Sequence, residues 1–375
     1  MKPFAPSPLP LSKLDWASLV PLIGKANAAL ARYDGILQGI PNPDVLLSPM
    51  TTQEAVLSSR IEGTQATLEE VLEFDASPVE EGEKVEDIRE IVNYRRAMRS
   101  AVATLKQRPL SLNLILQLHS KLLDSVRGRD KGRGHFRTVQ NWVGSPQCPT
   151  EEATYVPPSP ETLSAHLDNF EKYIHFEEKD RLVQLAFVHA QFELIHPFVD
   201  GNGRVGRMLI PLFLFEKQML SSPNFYISAY LETNREVYYE KLRTISSQDD
   251  WNGWIRFFLT AIIEQAMANN GKARKILELY NSMKQKVPNL TRSQFSTQAI
   301  DALFNQPYFL TTGFVRQSDI PKQSAIRILK TLKANRIVET IREGRGRRGT
   351  IFAFPELIRI VEDRALPADK TSNPI

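Results

Sequence analysis

The chain has 375 residues, of which 42% are hydrophobic and 24% charged, and its formal net charge is +4, as in an ordinary soluble protein of two or three domains. A single cysteine, Cys148, excludes an intramolecular disulfide and a cysteine-rich metal site, and it fits a reducing cytoplasm. The apolar run 208–215 is far shorter than the roughly 20 residues that span a bilayer, so no transmembrane segment is predicted.

The first part of the chain is predicted to be helical after an extended arm. Proline alternates with other residues near the N-terminus, which favours an extended arm over a secretory signal. Ser48-Pro49 and Gly63 are typical of the start and end of a helix, so a helix is predicted over about 49–63. Thr67, with Glu70 three residues on, has the capping-box pattern that begins the next helix. Apolar residues at helical spacing predict further helices over 85–105, 111–123 and most of 160–268.

Two short segments and the C-terminal part break this helical pattern. Segments 136–144 and 153–156 are rich in β-branched and aromatic residues and predict a β-hairpin. After a helix over 273–286, the segment 291–375 has the order helix, helix pair, strand, Gly/Arg turn and strand, which is that of a winged helix. The predicted fold is therefore mainly α, with a small α+β domain at the C-terminal end.

The segment IHPFVDGNGRVGR, residues 195–207, concentrates polar residues between two apolar helices. Pro197 disfavours helical geometry in His196, so the preceding helix is predicted to end there. The run 201–203 (GNG) tolerates positive φ, and the next helix is predicted to start near Arg204. A glycine turn at a helix N-terminus directs backbone N–H groups outward and binds anions. The segment therefore predicts a phosphate-binding loop.

The charged side chains of this segment fit the same interpretation. Arg204 and Arg207 are three residues apart on one helix face, where each can contact phosphate oxygens. Asp200 would repel phosphate unless a cation lies between them, and Mg²⁺ is commonly held by one carboxylate together with phosphates and waters. His196 titrates near neutral pH and is a candidate base for an attacking hydroxyl. The pattern indicates a phosphoryl- or nucleotidyl-transfer site.

Each of these features has a simpler explanation when it is taken alone. A histidine before proline is most often packed or capping, DGNG is most often a surface turn, and two arginines on a helix most often face solvent. Six polar or glycine positions between two apolar helices would be a poor way to build a simple loop. Their combination favours the functional interpretation.

The segment resembles the signature of Fic domain proteins, His-x-Phe-x-(Asp/Glu)-Gly-Asn-Gly-Arg-x-x-Arg, with no departure. The resemblance implies an all-helical Fic core with a β-hairpin flap, and transfer of AMP from ATP to a Ser, Thr or Tyr hydroxyl of a protein. Doc-like kinases carry Lys at the position of Gly203, which argues against kinase chemistry. The implied domains are an N-terminal helical region, a catalytic domain, a linker helix and a winged-helix domain with a tail, over 1–100, 101–270, 271–290 and 291–375.

The resemblance also implies roles for individual residues of the motif. His196 is the general base, Phe198 the buried anchor of the loop, and Asp200 the Mg²⁺ ligand. Arg204 contacts the β-phosphate and Arg207 the γ-phosphate. The whole predicted ATP-binding stretch is Gly201, Asn202, Gly203, Arg204, Val205, Gly206 and Arg207.

Two further segments resemble Fic elements that line the site. The flap, along which the target backbone lies as an extra strand, corresponds to Asn141, Trp142, Val143 and Gly144; the alternative is an ordinary hairpin that covers the core. Tyr238 and Tyr239 resemble a tyrosine pair near the adenine, although two aromatic residues on a helix are equally consistent with core packing.

The segment SSRIEG, residues 58–63, carries a second signal. Ser58 and Glu62 are four residues apart and share a helix face, and Glu62 lies near a helix C-terminus that disfavours a carboxylate. By spacing alone, a capping box between Ser59 and Glu62 or a solvated Glu62 explains the pattern. The segment also resembles the Fic inhibitory motif (Ser/Thr)-x-x-x-Glu-(Gly/Asn), which includes Gly63. That resemblance predicts an ion pair between Glu62 and Arg207, and autoinhibition.

The C-terminal segment leaves its partner open. Segment 314–364 carries 12 basic and 6 acidic residues, and its helix-turn-helix pattern predicts an exposed face with Lys322, Gln323, Ser324 and Arg327, plus a basic wing tip over 342–349. A basic helix and wing suit DNA phosphates, but contact with protein, including a homodimer, fits as well. The rival to an adenylyltransferase is a DNA-binding regulator whose Fic domain senses nucleotide. Another nucleotide donor and removal of AMP also remain open.

Overall fold

A computed structural model describes residues 2–124, 131–144, 153–344 and 349–363, which form two compact units. The first unit comprises 1–38, 54–66 and 83–270. The second unit comprises 39–53, 67–82 and 271–375. Two helices, α3 (Ser48–Ile61) and α12 (Trp251–Thr291), contribute residues to both.

The first unit is helical, as the periodicity predicts. Besides parts of α3 and α12 it contains the helices α1 (Trp16–Gly39), α5 (Val85–Leu105), α6 (Leu112–Leu122), α7 (Pro160–Ile174), α8 (Arg181–Ile195), α9 (Asn202–Glu216), α10 (Ser228–Thr233) and α11 (Arg235–Gln248). The predicted starts of α3 and α6 agree with the structure to within one or two residues. The α9 helix begins at Asn202, two residues before the predicted start, because Gly201 adopts a left-handed φ of 83° and acts as its N-cap.

The core of this unit is built around α8 and α9. Nearly every residue of α8 is buried, and Leu185, Ala186 and Val188 have no exposed surface. A helix whose residues are buried on every side lies inside a protein rather than at its surface. Trp254 of α12 packs on α8 and donates from Nε1 to the carbonyl of Ala186 at 2.9 Å. The loop between α8 and α9 is therefore held between two rigid, buried helices.

The second unit combines helices with a small sheet. Its elements are α2 (Pro43–Leu46), α4 (Leu68–Ala76), α13 (Ser296–Asn305), β1 (Tyr308–Leu310), α14 (Thr311–Ser318), α15 (Lys322–Ala334), β2 (Glu339–Arg342), β3 (Ile351–Ala353) and α16 (Pro355–Val361). The strand order is β1-β3-β2 and both pairs are antiparallel. The central strand β3 places Ile351 opposite both Leu310 and Arg342.

The sequence prediction missed parts of this unit. The three-residue strand β1 and the helix α16 were not predicted, because both are too short for a periodic pattern to stand out. The predicted helix over 273–286 is instead the end of α12, which continues through Pro288 to Thr291. Part of the predicted wing tip, 345–348, lies outside the described residues.

Among the described residues, the predicted hairpin between 136–144 and 153–156 has one isolated bridge. Val143 pairs antiparallel with Tyr155, and the Val143 N–H donates to the Tyr155 carbonyl at 2.8 Å. The turn that would join the two segments, 145–152, lies outside the described residues.

None of the helices within the described ranges combines the length and apolar character needed to cross a membrane.

The capping box at the start of α4 is present as predicted and allows a stability test. Thr67 Oγ1 accepts from the Glu70 N–H at 3.2 Å, and Glu70 Oε2 accepts from the Thr67 N–H at 2.8 Å. Thr67→Ala is expected to lower the free energy of unfolding by about 1 kcal/mol, because the Glu70 N–H loses its side-chain acceptor and the reciprocal capping box is broken. Urea unfolding followed by circular dichroism measures this, and Thr67→Ser serves as the control that keeps the cap. An unchanged urea midpoint in Thr67→Ala would contradict it.

Candidate functional site

The loop between α8 and α9 is closed by its own side chains. His196 ends α8 in the left-handed region, with φ 49°. The Asn202 side chain then spans the loop, because its Oδ1 accepts from the Phe198 N–H at 2.8 Å and its Nδ2 donates to the Phe198 carbonyl at 2.9 Å. Asn202 thereby fixes the loop around the buried ring of Phe198.

His119 of α6 supports this loop from below, and the sequence analysis missed it. Its ring stacks on Phe198, with centroids 3.8 Å apart and planes 9° apart. His119 Nδ1 accepts from the Gly134 N–H at 3.0 Å, so Nε2 carries the hydrogen and donates to the Asp200 carbonyl at 3.0 Å. Burial lowers the pKa of His119 to about 4. The neutral ring is therefore a structural anchor with both nitrogens in use.

His196 has a different environment from His119. Its Nδ1 lies 3.4 Å from the Glu193 carbonyl, an acceptor that favours the tautomer with hydrogen on Nδ1 and a free lone pair on Nε2. Burial lowers the pKa of His196 to about 4. The imidazole is therefore neutral at pH 7 and can accept a proton at Nε2.

Arg204 lies between two carboxylates. Its Nη1 donates to Glu90 Oε2 of α5 at 2.7 Å, and its Nη2 donates to Asp200 Oδ1 at 3.1 Å. The Lys131 ammonium contacts the other oxygen of Asp200. Burial disfavours the Asp200 carboxylate, but Arg204 and Lys131 outweigh it and lower its pKa. The predicted metal ligand is thus charged and surrounded by cations.

The predicted ion pair between Glu62 and Arg207 is present. Arg207 Nη2 lies 2.6 Å from Glu62 Oε1, and the arginine side chain is only 1% exposed. Ser58 completes the contact: its Oγ accepts from Arg207 Nε and its carbonyl from Nη2, both at 2.8 Å. Burial disfavours the Glu62 carboxylate, but Arg207 lowers its pKa overall. These contacts favour pairing over the alternatives of a capping box with Ser59 or a solvated Glu62.

Gly203 provides the space that Glu62 occupies. A Cβ atom added at Gly203 would lie 2.2 Å from Glu62 Oε1, which is a severe clash. The Glu62 carboxylate therefore sits directly over the first turn of α9. Gly63 is the next residue, and its φ of 103° forms the sharp turn after α3. Glycine adopts such a positive φ without steric cost.

Glu54 fixes α3 one turn before Ser58, and it was also missed. Residues 54, 58 and 62 are spaced by four and share one helix face. Glu54 Oε1 accepts from Ser228 Oγ at 2.6 Å, and Oε2 accepts from the Ser228 N–H at 3.0 Å. Burial raises the pKa of Glu54 to about 7. One face of α3 thus carries two carboxyl groups, each with its own partner in the first unit.

The tyrosine pair divides between core and surface. Tyr238 is buried, and its hydroxyl donates to His189 Nε2 at 2.9 Å, because His189 Nδ1 donates to the Gly206 carbonyl at 3.1 Å. Tyr239 is 40% exposed. Of the two residues predicted near the adenine, Tyr238 has its hydroxyl engaged in the core and Tyr239 retains a free surface. Val205 is fully buried.

The flap residues lie beside the motif loop. Asn141 Nδ2 donates to the Phe198 carbonyl at 2.9 Å, and Tyr155, opposite Val143, donates from its hydroxyl to the Leu194 carbonyl at 2.6 Å. The Trp142 side chain is 42% exposed. Gly144 is the last described residue before the gap in the flap.

Two adjacent stretches of the chain match one protein family. Residues 20–103 match the Fic/DOC family N-terminal region, and residues 109–214 match the Fic/DOC family domain. The chain belongs to the Fic/DOC family. The motif loop, α8, the supporting helix α6 and α9 as far as residue 214 fall within the second match, and α3 with Glu54, Ser58 and Glu62 falls within the first.

Known proteins of this family are similar to about three fifths of the chain, 62% in the matches below. The chain is 27% identical over 246 residues to the protein adenylyltransferase Fic of Drosophila grimshawi, covering 62% of this chain and 44% of that protein. It is 26% identical to the protein of the same name from Drosophila melanogaster, with the same coverage of both. The chain thus spans less than half the length of the curated relatives it matches.

Solved structures support the fold. A Fic family protein from Desulfovibrio desulfuricans G20 superposes with a TM-score of 0.57 at 18% identity, covering 94% of this chain and 98% of that one. A Fic domain containing signaling protein from Bacteroides thetaiotaomicron VPI-5482 gives 0.52 at 17% identity, covering 67% of this chain and 97% of that one.

The buried carboxyl of Glu54 makes stability depend on pH. Its pKa is raised from 4.5 to about 7 by burial, so its contribution to stability is fully present below 4.5 and is lost as pH rises through about 7. The wild-type protein is therefore expected to lose melting temperature relative to Glu54→Gln between pH 5 and pH 8. Differential scanning calorimetry of both proteins measures the difference. Parallel pH curves for the two proteins would contradict the assigned state of Glu54.

Proposed function

We propose that this protein is an adenylyltransferase that transfers AMP from ATP to a hydroxyl of a protein and is autoinhibited by α3. The observation that carries the proposal is the Arg207 guanidinium, which is paired with Glu62 directly over the first turn of α9 and beside the neutral base His196. The name shared by the Drosophila relatives supports the activity.

The triphosphate is proposed to bind at the N-terminus of α9. The first N–H groups of a helix have no partner within it, and they face an anion together with the helix dipole. Gly201 and Gly203 let phosphate oxygens approach the backbone closely. Arg204 and Arg207 supply guanidinium groups at the same helix end. Arg207 reaches the terminal phosphate only when Glu62 leaves it.

The chemistry follows from the position of His196. Its Nε2 takes the proton of the target hydroxyl as the hydroxyl oxygen attacks the α-phosphorus of ATP. The new bond joins that oxygen to the α-phosphorus, and the bond to the bridging oxygen of the β-phosphate breaks. AMP remains on the target, and pyrophosphate leaves with its charge held by Arg204. Gly203 in place of lysine favours this reaction over kinase chemistry.

Mg²⁺ is proposed to bind Asp200. The described residues contain no group of three or more metal-binding side chains, but a magnesium site at a nucleotide needs only one or two carboxylates beside phosphates and waters. The Asp200 carboxylate is 31% exposed and carries the Lys131 ammonium, so its position already accepts a cation. The ion would neutralise charge on the phosphates.

Transfer of another nucleotide and removal of AMP from a target use the same groups, and both are alternatives to the proposed reaction.

The four proposed domains cover residues 1–100, 101–270, 271–290 and 291–375, and the proposed inhibitory helix covers about 49–63. A reducing cytoplasm is the proposed compartment.

Release of Arg207 provides the direct test. Glu62→Gly is expected to raise the transfer of labelled AMP from α-labelled ATP by 10-fold or more, roughly, because the ion pair no longer occupies the terminal phosphate site. His196→Ala in the same background is expected to abolish labelling. His175→Ala, which changes an exposed histidine at the C-cap of α7, is the matched control. Unchanged labelling in Glu62→Gly, with labelling lost in His196→Ala, would refute autoinhibition. Label from another nucleotide in competition would refute ATP as the donor.

The second unit is proposed to be a winged helix that contacts DNA through α15. This helix carries Lys322, Arg327, Lys330 and Lys333 and no acidic residue. Its buried residues, Ala325, Ile328, Leu329 and Leu332, lie on the opposite side, so the cations form an exposed face. A basic recognition helix contacts phosphates and base edges in the major groove.

Salt-dependent binding tests this second proposal. Duplex DNA binding is measured by fluorescence anisotropy from low to high salt, and Lys330→Ala is expected to weaken binding and reduce the salt slope by about 1. Lys275→Ala, an exposed lysine on α12, is the control. If Lys330→Ala binds DNA as tightly as the parent, and sedimentation shows a dimer whose population rises with protein concentration, this face would be assigned to contact between two copies of the chain instead.

A further inference from the structure

Arg137 is a buried arginine in the first unit that the motif chemistry does not use. Its residue surface is only 3% exposed. Its Nε donates to the His196 carbonyl at 2.9 Å, and its Nη2 donates to the Ile195 carbonyl at 3.4 Å. These are the last carbonyls of α8, which have no N–H donor within the helix. The guanidinium therefore caps α8 at the residue that carries the base.

The same guanidinium binds both sides of the flap. Its Nη1 donates to the Val139 carbonyl at 3.2 Å, and its Nη2 donates to the Pro158 carbonyl at 2.5 Å. Residues 139 and 158 flank the bridge between Val143 and Tyr155. One planar group thus joins the C-terminus of α8 to both segments of the flap.

Arg137 makes these contacts as a cation without a carboxylate partner among the described residues. Burial lowers its pKa from 12.5, but its charge persists at neutral pH. That charge contributes to the lowered pKa of His196, while Glu62 of α3 and Asp200 of the motif loop act in the opposite direction. Glu193 of α8 faces the same region and has a pKa raised to about 8 by burial.

We propose that Arg137 is a positioning residue for the transfer reaction, which sets the base His196 and the flap in one fixed register. The inference rests on the proposed adenylyl transfer. A target held along the flap presents its hydroxyl to Nε2 of His196 only if both elements keep their relative position. The left-handed conformation of His196, at φ 49°, is uncommon for a residue other than glycine, and a hydrogen bond to its carbonyl helps to hold it.

A residue that only capped the helix would not need to be an arginine. Any cation near the last carbonyls stabilises a helix end, and a lysine would supply it. Contact with carbonyls of three separate segments needs the planar fork of arginine. Arg137→Lys therefore separates the two roles, because it keeps the charge and removes the fork.

The experiment uses the Glu62→Gly protein as the active parent. In this background, Arg137→Lys and Arg137→Met are expected to lower the labelling rate by 10- to 100-fold, roughly, as a displaced catalytic group does. The KM for ATP is expected to change by less than about threefold, because no Arg137 atom lies at the proposed phosphate site. Arg133→Met removes a neighbouring half-exposed arginine and is the matched control, with an expected rate equal to the parent.

A second measurement reports on His196 without activity. Histidine-selective NMR titration is expected to give a higher His196 pKa in Arg137→Met than in the parent, and an unchanged pKa in Arg137→Lys, since only methionine removes the charge. If Arg137→Met does not fold, as shown by circular dichroism, Arg137→Lys carries the rate test alone.

The outcomes separate the two proposals. No label in the Glu62→Gly parent overturns the proposed transfer itself. A labelled parent with a full rate in Arg137→Lys overturns the positioning role, because the fork is then not needed. A reduced rate in Arg137→Lys, with an unchanged KM for ATP and a normal melting temperature, supports it.

Discussion

The structure depends on one constraint: the buried guanidinium of Arg207 needs an anion. A charge taken out of water is costly unless it is paired and hydrogen-bonded, and this side chain is 1% exposed. In this structure the anion is Glu62, and Ser58 accepts two of the remaining N–H groups. Because α9 cannot bury Arg207 alone, docking of α3 and assembly of the site are linked. A triphosphate is a chemical substitute for Glu62, so in the proposed binding mode the nucleotide and Glu62 of α3 compete for one cation.

The same exchange applies to the rest of the proposed phosphate site. Arg204 is held by Glu90 and Asp200, and Asp200 by Arg204 and Lys131. Carboxylates therefore contact the cations that would meet phosphates, and an ammonium contacts the carboxylate that would meet a divalent cation. This alternation keeps each buried charge compensated without a ligand. It also keeps the side chains ordered. Little rearrangement is then needed when phosphate oxygens replace the carboxylate oxygens in the proposed binding mode.

The features that could be predicted from the sequence are those set by residues close together in the chain. Helix ends at Thr67 and the motif 195–207 have short-range signatures, and the structure has them at or near the predicted positions. The Glu62–Arg207 pair joins residues 145 apart, and only the resemblance to Fic proteins pointed to it. Glu54, His119 and Arg137 were missed because their partners are backbone groups or a serine far along the chain. Such contacts produce no recognisable sequence pattern around either partner. The four-residue spacing of 54, 58 and 62 becomes informative only once one of these residues is known to face the core.

Three neutral histidines of the first unit differ in how many of their ring nitrogens have a partner. Burial lowers the pKa of His119, His189 and His196 to between about 3 and about 4, so the lowered pKa alone does not distinguish them. His119 uses both nitrogens, toward Gly134 and Asp200, and His189 uses both, toward Gly206 and Tyr238. In the described structure His196 has a backbone acceptor at Nδ1 only. The second nitrogen therefore distinguishes them: where the fold satisfies it, the histidine is a structural residue, and at His196, where the described structure gives it no such partner, it is available to act as the base of the proposed reaction.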